Sequence, residues 1–206
     1  MPHRLDINIE PAQTTLVPKK VYRSESNQVF AELNFEFNSE TQVVLSEICK
    51  DIVFVSIVDK ETHDLAVKMF PTGKFFSTYR MLFQAFEKAT RSDKRSKYQV
   101  FINLTANSFD LFVFEKKQRL IFANSFTYQS SNDFMYYLLH VVNRLKIDTG
   151  GLTLRVIDST SHSKDLFQLL EAHFLSVVKF SDQENPLKMR VYIQPGLWLI
   201  NPALCE

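Results

Sequence analysis

Three apolar segments followed at once by one amphipathic segment make up residues 98–146. In the first segment apolar side chains alternate with polar ones, which is the pattern of a strand with one face in the core. The second segment is apolar on both faces except at Asp110, as expected for an internal strand. The polar break at 115–118 is short enough for a hairpin loop. The pattern predicts an antiparallel meander with strands over 98–105, 108–115 and 119–127.

The amphipathic segment predicts a helix over residues 131–146. Ser131 is the expected N-cap, and Asp133 lies in the first turn, where a negative charge favours the helix dipole. Gly150–Gly151 is expected to stop the helix. Four apolar residues recur at helical spacing and should be buried: Phe134, Leu138, Val141 and Leu145.

The rest of the chain also alternates between apolar strands and amphipathic helices. Strands are predicted at 5–10, 51–58, 73–76, 152–157, 177–180 and 190–193, and a loop at 11–18. Helices are expected to begin after Ser24 or Ser26, after Asp59 or Thr62, after Ser77, and at residue 163. The first of these helices carries Val29, Phe30 and Leu33. The second half of the chain therefore has the order β-β-β-α-β-α-β.

A wholly polar segment, residues 90–97, separates the two halves of the chain. Its composition is typical of a solvated linker, although its four basic residues would also suit an acidic partner or nucleic acid: Arg91, Lys94, Arg95 and Lys97. We expect a first α/β lobe at residues 1–90, a linker at 91–97 and a second lobe at 98–206.

Composition is that of an ordinary globular protein, with 45% hydrophobic and 23% charged residues. The 24 Lys and Arg residues against 23 Asp and Glu give a net charge of +1, which makes no general case for nucleic acid or an anionic membrane. Cys49 and Cys205 have no metal-ligand spacing and predict reduced thiols. With no apolar signal core and no run of about 20 apolar residues, the chain is expected in the cytoplasm, without a membrane partner.

Two polar groupings have the residue types of an active site but a simpler explanation. Residues 158–162 contain Asp, Ser and His, yet adjacent residues rarely converge as a triad, and a strand-to-helix loop is expected. Tyr136 and His140 lie one helical turn apart, where a single His on an aromatic face is usually structural. No metal spacing relates the other histidines His63, His162 and His173. We therefore predict no catalytic residue and no metal site.

The order β-β-β-α-β-α-β resembles the ribonuclease-H-like lobe that occurs twice in actin, sugar kinases and heat-shock chaperone ATPases. The chain as a whole resembles an uncharacterised bacterial family with an actin-like ATPase fold. The resemblance is carried by residues 11–18 (PAQTTLVP), 100–115 (VFINLTANSFDLFVFE), 120–139 (LIFANSFTYQSSNDFMYYLL) and 201–206 (NPALCE). It implies an α/β protein of two lobes, the second with a mixed sheet. Family members usually carry a further strand-rich segment before the counterpart of 5–10, which implies an incomplete first lobe.

The resemblance also says where a nucleotide would bind. Active members of the superfamily hold ATP between two lobes, through hairpins whose Asp positions hydrated magnesium and whose Gly residues let the backbone approach phosphate. The second hairpin corresponds to residues 101–110, where Asn103 stands in place of an acidic residue. The expected glycines are replaced by Thr105, Ala106, Asn107 and Ser108. After strand 152–157, a Gly-Gly adenosine turn is replaced by Asp158–Ser159–Thr160.

These departures predict a degenerate fold without ATPase chemistry or a cofactor, and a role in binding a protein or peptide partner as an assembly or scaffold component. Asp110 is a candidate for the cleft between lobes, or else lies at the exposed start of its strand. The rival hypothesis is a phosphotransferase or ATPase with atypical phosphate loops. A third possibility is a homodimer in which a second copy covers an open edge of the strand at 5–10.

Overall fold

A computed structural model describes residues 6–91, 96–158, 164–180, 190–194 and 197–200. The chain divides into two compact units, of which unit 1 comprises Met1–Gln84 with Pro186–Glu206 and unit 2 comprises Ala85–Asn185. The predicted linker at 91–97 includes residues 92–95, which lie outside the described residues, so the predicted division into lobes stays a prediction. No described helix is both long and apolar enough to cross a lipid bilayer.

Unit 1 contains two sheets with the orders β11-β12-β1-β5 and β2-β4-β3. Its helices are α1 (Asn27–Asn34), α2 (Lys60–Met69) and the first part of α3 (Thr78–Thr90). Its strands are β1 (Asp6–Ile9), β2 (Gln13–Pro18), β3 (Gln42–Cys49), β4 (Ile52–Asp59), β5 (Lys74–Ser77), β11 (Arg190–Gln194) and β12 (Leu197–Ile200).

Strand β1 lies inside its sheet and has a neighbour on each side. β12 pairs antiparallel with it, with Leu199 opposite Ile7, and β5 pairs parallel with it, with Phe75 opposite Ile7. The prediction of an open edge at residues 5–10 is therefore wrong. Hydrophobic periodicity could not reveal the partner, because β12 comes from the far end of the chain and periodicity reports only local structure.

Most of the segment 11–18, predicted as a loop, is the strand β2 (Gln13–Pro18). It pairs antiparallel with β4, and the Thr14 and Ser56 hydroxyl oxygens lie 2.9 Å apart across the pair. The two prolines at its ends, Pro11 and Pro18, favoured a loop in the sequence. Between them, however, β-branched Thr14, Thr15 and Val17 suit a pleated strand, and Pro18 occupies only its last position.

The predicted helix starts in unit 1 are confirmed. Asp59 caps α2 by accepting a hydrogen bond from the Thr62 amide at 2.8 Å. Helix α1 buries Ala31 completely and packs Phe30 against the core, whereas Val29 and Leu33 are 51% and 76% exposed. The inner face of α1 therefore covers the sheet with Ala31 and Phe30 alone among its apolar residues.

Unit 2 is a five-stranded mixed sheet with the order β10-β9-β6-β7-β8. The strands β6, β7 and β8 form the predicted antiparallel meander, and β9 and β10 add parallel to β6. Their bounds are β6 (Tyr98–Leu104), β7 (Ser108–Glu115), β8 (Arg119–Thr127), β9 (Leu152–Asp158) and β10 (Val177–Lys179), with helices α4 (Ser131–Arg144) and α5 (Lys164–His173).

Both faces of this sheet are covered by apolar side chains. On one face α4 and α5 pack on alternate residues of the strands, and Phe134, Leu138 and Val141 are buried as predicted. Leu145 is only partly buried, because it lies at the helix end. On the other face Phe86 of α3 stacks on Phe101, with ring centroids 4.7 Å apart. A strand buried on both faces accounts for the nearly continuous apolar run of β7.

The two ends of α4 differ in detail from the prediction. The N-cap is Ser130, whose hydroxyl accepts from the Asp133 amide while the Asp133 carboxylate accepts from the Ser130 amide. The helix stops at Lys146, whose φ of 53° places it in the left-handed region, and the Ile147 amide donates to the Val142 carbonyl at 3.0 Å. Gly150–Gly151 lies farther on, in a short 3-10 turn, so it is not the helix stop.

Candidate functional site

The turn between β6 and β7, where the sequence predicts a degenerate phosphate hairpin, is closed by its own hydrogen bonds. The Thr105 amide donates to the Ser108 carbonyl at 2.9 Å, and the Ser108 amide donates to Thr105 Oγ1 at 3.2 Å. Tyr128 follows β8 and donates its hydroxyl to the Thr105 carbonyl at 2.7 Å. Ala106 and Asn107 are exposed at the tip of the turn. Two of its backbone amides are thus engaged inside the protein.

A row of polar side chains crosses the sheet next to this turn. Asn103, Asp110 and Ser125 lie directly opposite one another on β6, β7 and β8. The Asp110 carboxylate accepts from Asn103 Nδ2 at 2.8 Å and from the Ser125 hydroxyl at 2.5 Å. The row shares a face with Phe101 and Phe112, which lie two positions away along their strands. The half-buried carboxylate of Asp110 is thus held by two neutral donors.

This pairing explains why an amide side chain suits position 103 better than a carboxylate. An ionised carboxylate only accepts hydrogen bonds, so the amide group of Asn103 must turn its nitrogen toward Asp110. A second carboxylate in its place would face Asp110 across the strand pair and repel it. Asn103 is 4% exposed, and its Oδ1 has no hydrogen-bond partner among the described residues. Asn103 thus donates to the Asp110 carboxylate while its own buried Oδ1 accepts no hydrogen bond from the described residues.

A second carboxylate, Asp158, lies at the same end of the sheet. It ends β9 opposite Leu104 of β6, so the carboxyl ends of two parallel strands meet here, which is where α/β sheets bind ligands. Its side chain is 3% exposed and pairs with Lys179 Nζ at 3.1 Å. Burial, with a smaller contribution from the charge of Asp158, raises the pKa of Tyr128. Among the described residues, no group of three or more His, Cys, Asp and Glu could hold a metal ion.

The other described residues singled out from the sequence have contacts of their own. Residues 159–162 of the Asp-Ser-His grouping lie outside the described residues. Tyr136 and His140 stack on the exposed face of α4 with ring centroids 6.0 Å apart. In unit 1, His63 packs against Phe75 at 5.8 Å, and in unit 2 His173 Nδ1 lies 2.9 Å from the Leu169 carbonyl at the end of α5.

A buried carboxylate in unit 1 was not predicted from the sequence. Glu47 of β3 is 6% exposed, accepts from the Ser77 amide at 2.9 Å and lies 3.5 Å from Arg80 Nη1. Burial raises the pKa of Glu47, although the Ser77 and Arg80 donors oppose the shift. One signal was present, because Glu47 continues the inward-facing alternation of Val43 and Leu45. The carboxylate links β3 to the start of α3.

Comparison with known proteins supplies a family and a fold. A family model described as "Protein of unknown function (DUF3822)" matches residues 3–177. A Bacteroides thetaiotaomicron protein, described as having an actin-like ATPase fold and unknown function, is similar with a TM-score of 0.80 and 23% identity over 90% of this chain and 71% of that one. A structure of the PilM–PilN type IV pilus biogenesis complex is similar with a TM-score of 0.52 and 11% identity over 84% of this chain and 66% of that one. No curated protein matches. The predicted actin-like ATPase fold is confirmed.

Proposed function

We propose that this chain, which belongs to the DUF3822 family of proteins of unknown function, is a noncatalytic binding protein with a degenerate actin-like ATPase fold. The observation that carries the proposal is the closed turn between β6 and β7. A phosphate-binding hairpin needs backbone amides that point outward and a backbone that the phosphate can approach. In this turn the Thr105 and Ser108 amides donate internally, and every position carries a Cβ.

Charge near the turn supports the same proposal. Asp110 places a carboxylate, bound by neutral donors from Asn103 and Ser125, beside the turn where a nucleotide would lie, whereas Asp158 is paired with Lys179. A triphosphate is repelled by carboxylates unless a cation lies between them. Asn103, at the position of the expected acidic residue, is committed to Asp110. The local arrangement favours hydrogen-bond donors and cations over phosphate.

The binding role is proposed for a protein partner in the cytoplasm. A structure of similar fold is that of the PilM–PilN type IV pilus biogenesis complex, and this likeness to a protein assembly supports a protein partner for the chain. Two cysteines in 206 residues suit a reducing compartment, which supports the cytoplasm. We therefore propose that this chain binds a protein partner and does not turn over nucleotide.

Two measurements test the proposal. Purified protein with magnesium and ATP should release phosphate no faster than the matched Asp110→Ala variant, because no residue in the turn activates the reaction. Tagged protein recovered from the organism that encodes it should hold a stoichiometric protein partner with or without added magnesium and ATP. Turnover that Asp110→Ala abolishes would favour the rival hypothesis of an ATPase or phosphotransferase. Recovery of no partner would contradict the binding role.

A further inference from the structure

The outward surface of α1 combines exposed apolar side chains with carboxylates. Val29 and Leu33 are 51% and 76% exposed, and Glu25, Glu32 and Glu36 are exposed beside them in the sequence. We call these five residues the α1 surface. Large apolar side chains that remain in water on a helix one turn apart are a feature of docking surfaces, whereas single exposed ones are ordinary.

Helical geometry places these residues on one side of α1. At about 100° per residue, Leu33 lies about 40° to one side of Val29 and Glu32 about 60° to the other. Ala31, which is fully buried, lies about 160° from Val29 on the opposite side. The apolar pair and the nearest carboxylate therefore form one outward face, with Glu25 just before the helix and Glu36 just after it.

Helix α1 is held firmly enough to act as a platform. Its first residue, Asn27, donates from Nδ2 to the Ser46 hydroxyl at 2.9 Å and accepts from the Tyr22 hydroxyl at 2.5 Å. Phe30 stacks on Tyr22 with ring centroids 6.1 Å apart and packs on the core under the sheet. Val29 and Leu33 are thus exposed on a helix whose other side is packed on the core.

The carboxylates of the α1 surface form no ion pairs within the described residues. Glu32 accepts from Gln28 Nε2 at 2.8 Å, and none of Glu25, Glu32 and Glu36 forms an ion pair with a described Lys, Arg or His. The surface therefore offers negative charge around an apolar centre. Its electrostatic complement is a basic segment with apolar residues at the same spacing.

We propose that the α1 surface docks a basic amphipathic helix of a partner protein. The partner's apolar residues, spaced three or four apart, would cover Val29 and Leu33, and its Lys or Arg side chains would pair with Glu25, Glu32 and Glu36. A second copy of the chain fits less well, because its α1 surface would bring carboxylates against carboxylates. An anionic membrane is repelled for the same reason. This assignment rests on the proposed binding function and names its surface and partner class.

The test uses a defined peptide as the probe. A helical peptide of about five turns, with Leu on one face flanked by Lys, is titrated into the ¹⁵N-labelled chain, and a matched peptide carries Glu in place of each Lys. The Lys peptide should shift the amide signals of α1, and the Glu peptide should not. The double variant Val29→Gln/Leu33→Gln should weaken binding roughly tenfold, because it removes the apolar contact and keeps helix propensity.

Matched variants separate charge from apolar contact. Replacing Glu25, Glu32 and Glu36 together by Gln should weaken binding and reduce its dependence on salt, since the ion pairs are lost. Leu175→Gln, at a site 88% exposed, and Glu171→Gln, both on unit 2, should leave binding unchanged. Retained amide spectra outside α1 show that each variant is folded.

Several results would overturn the assignment. Equal binding of the two peptides, or equal affinity of the Val29→Gln/Leu33→Gln variant, would remove the α1 surface as the site. Dimerisation, or binding to phosphatidylcholine vesicles, that this variant abolishes would assign the surface to a second copy or to lipid instead. A recovered protein partner that the variant still holds would overturn this assignment and leave the proposed function standing, whereas absence of any partner from the wild-type chain would count against the proposed function.

Discussion

At the scale of single residues, buried polar side chains connect separate segments of the chain. The Asp110 carboxylate joins β6, β7 and β8 by accepting hydrogen bonds from Asn103 and Ser125. In unit 1 the Glu47 carboxylate of β3 accepts from the Ser77 amide just before α3. A carboxylate buried in this way has a measurable effect on stability.

Glu47 makes the stability of the protein depend on pH. Burial raises its folded-state pKa above the ordinary value of 4.5, so the protonated form is favoured by folding. The stability that it contributes is fully present below pH 4.5 and is lost as the pH rises through the folded-state pKa. Glu47→Gln removes this titration. In urea unfolding between pH 4 and about pH 8, the wild-type free energy of unfolding should therefore fall relative to that of Glu47→Gln.

The control for this measurement is Glu36→Gln, at an exposed carboxylate in the same unit. This variant removes one exposed carboxylate, and its curve shows how far the loss of a charge at the surface alters the measurement. Parallel curves for wild type and Glu47→Gln would show that Glu47 titrates alike in the folded and unfolded chain.

The buried polar contacts were only partly predictable from the sequence. The predicted strands place Asn103 and Asp110 across one hairpin. Glu47 could be placed on the inner face of β3, but its partners Ser77 and Arg80 come from a later segment and were not predictable.

At the scale of elements, α4 was the most predictable part of the chain. Its apolar residues recur with the helical period over fourteen residues, and a periodic pattern of this length is enough to predict a helix. The exact ends were less predictable, because Ser130 and Ser131 are both good caps and Lys146 is an unusual residue at a left-handed helix end. In α1 the helix itself was predictable, whereas the exposure of Val29 and Leu33 was not, since a short helix need not bury its largest side chains.

The left-handed Lys146 gives a prediction about the end of α4. A non-glycine residue in this region costs roughly 1–2 kcal/mol, part of which glycine gives back through the entropy of the unfolded chain. Lys146→Gly should therefore raise the free energy of unfolding by about 0.5–1 kcal/mol in urea unfolding. Lys88→Gly, at an exposed position within right-handed α3, should lower it by about 1 kcal/mol. A fall in stability for both variants would contradict the proposed helix end.

The packing of α4 on the sheet gives a second prediction at this scale. Leu138 is fully buried in the core of unit 2, so Leu138→Ala should lower the free energy of unfolding by roughly 2–5 kcal/mol. Tyr136 lies on the same helix and is 64% exposed. Its replacement by Ala should change stability by only about 0.5 kcal/mol. Comparable losses for the two variants would refute the orientation of α4.

At the scale of the whole molecule, the fold was predictable through a resemblance, while function has to be argued from the site. The order of elements in unit 2 could be predicted from local sequence patterns, and that order predicts the mixed sheet that is observed. Unit 1 could not be assembled in the same way, because β12 joins β1 from the end of the chain. One fold can carry different functions, so an actin-like ATPase fold does not by itself decide whether this chain hydrolyses ATP. The decision rests on the turn at residues 104–108 and the polar row beside it.

The most direct test of the noncatalytic account is a calorimetric titration of the intact protein with ATP in the presence of magnesium. We expect a Kd for ATP no lower than about 1 mM, which corresponds to about 4 kcal/mol of binding free energy. The reason is that the Thr105 and Ser108 amides are engaged internally and Asn103 is committed to Asp110. Magnesium-dependent binding in the micromolar range, lost in Asp110→Ala, would contradict it.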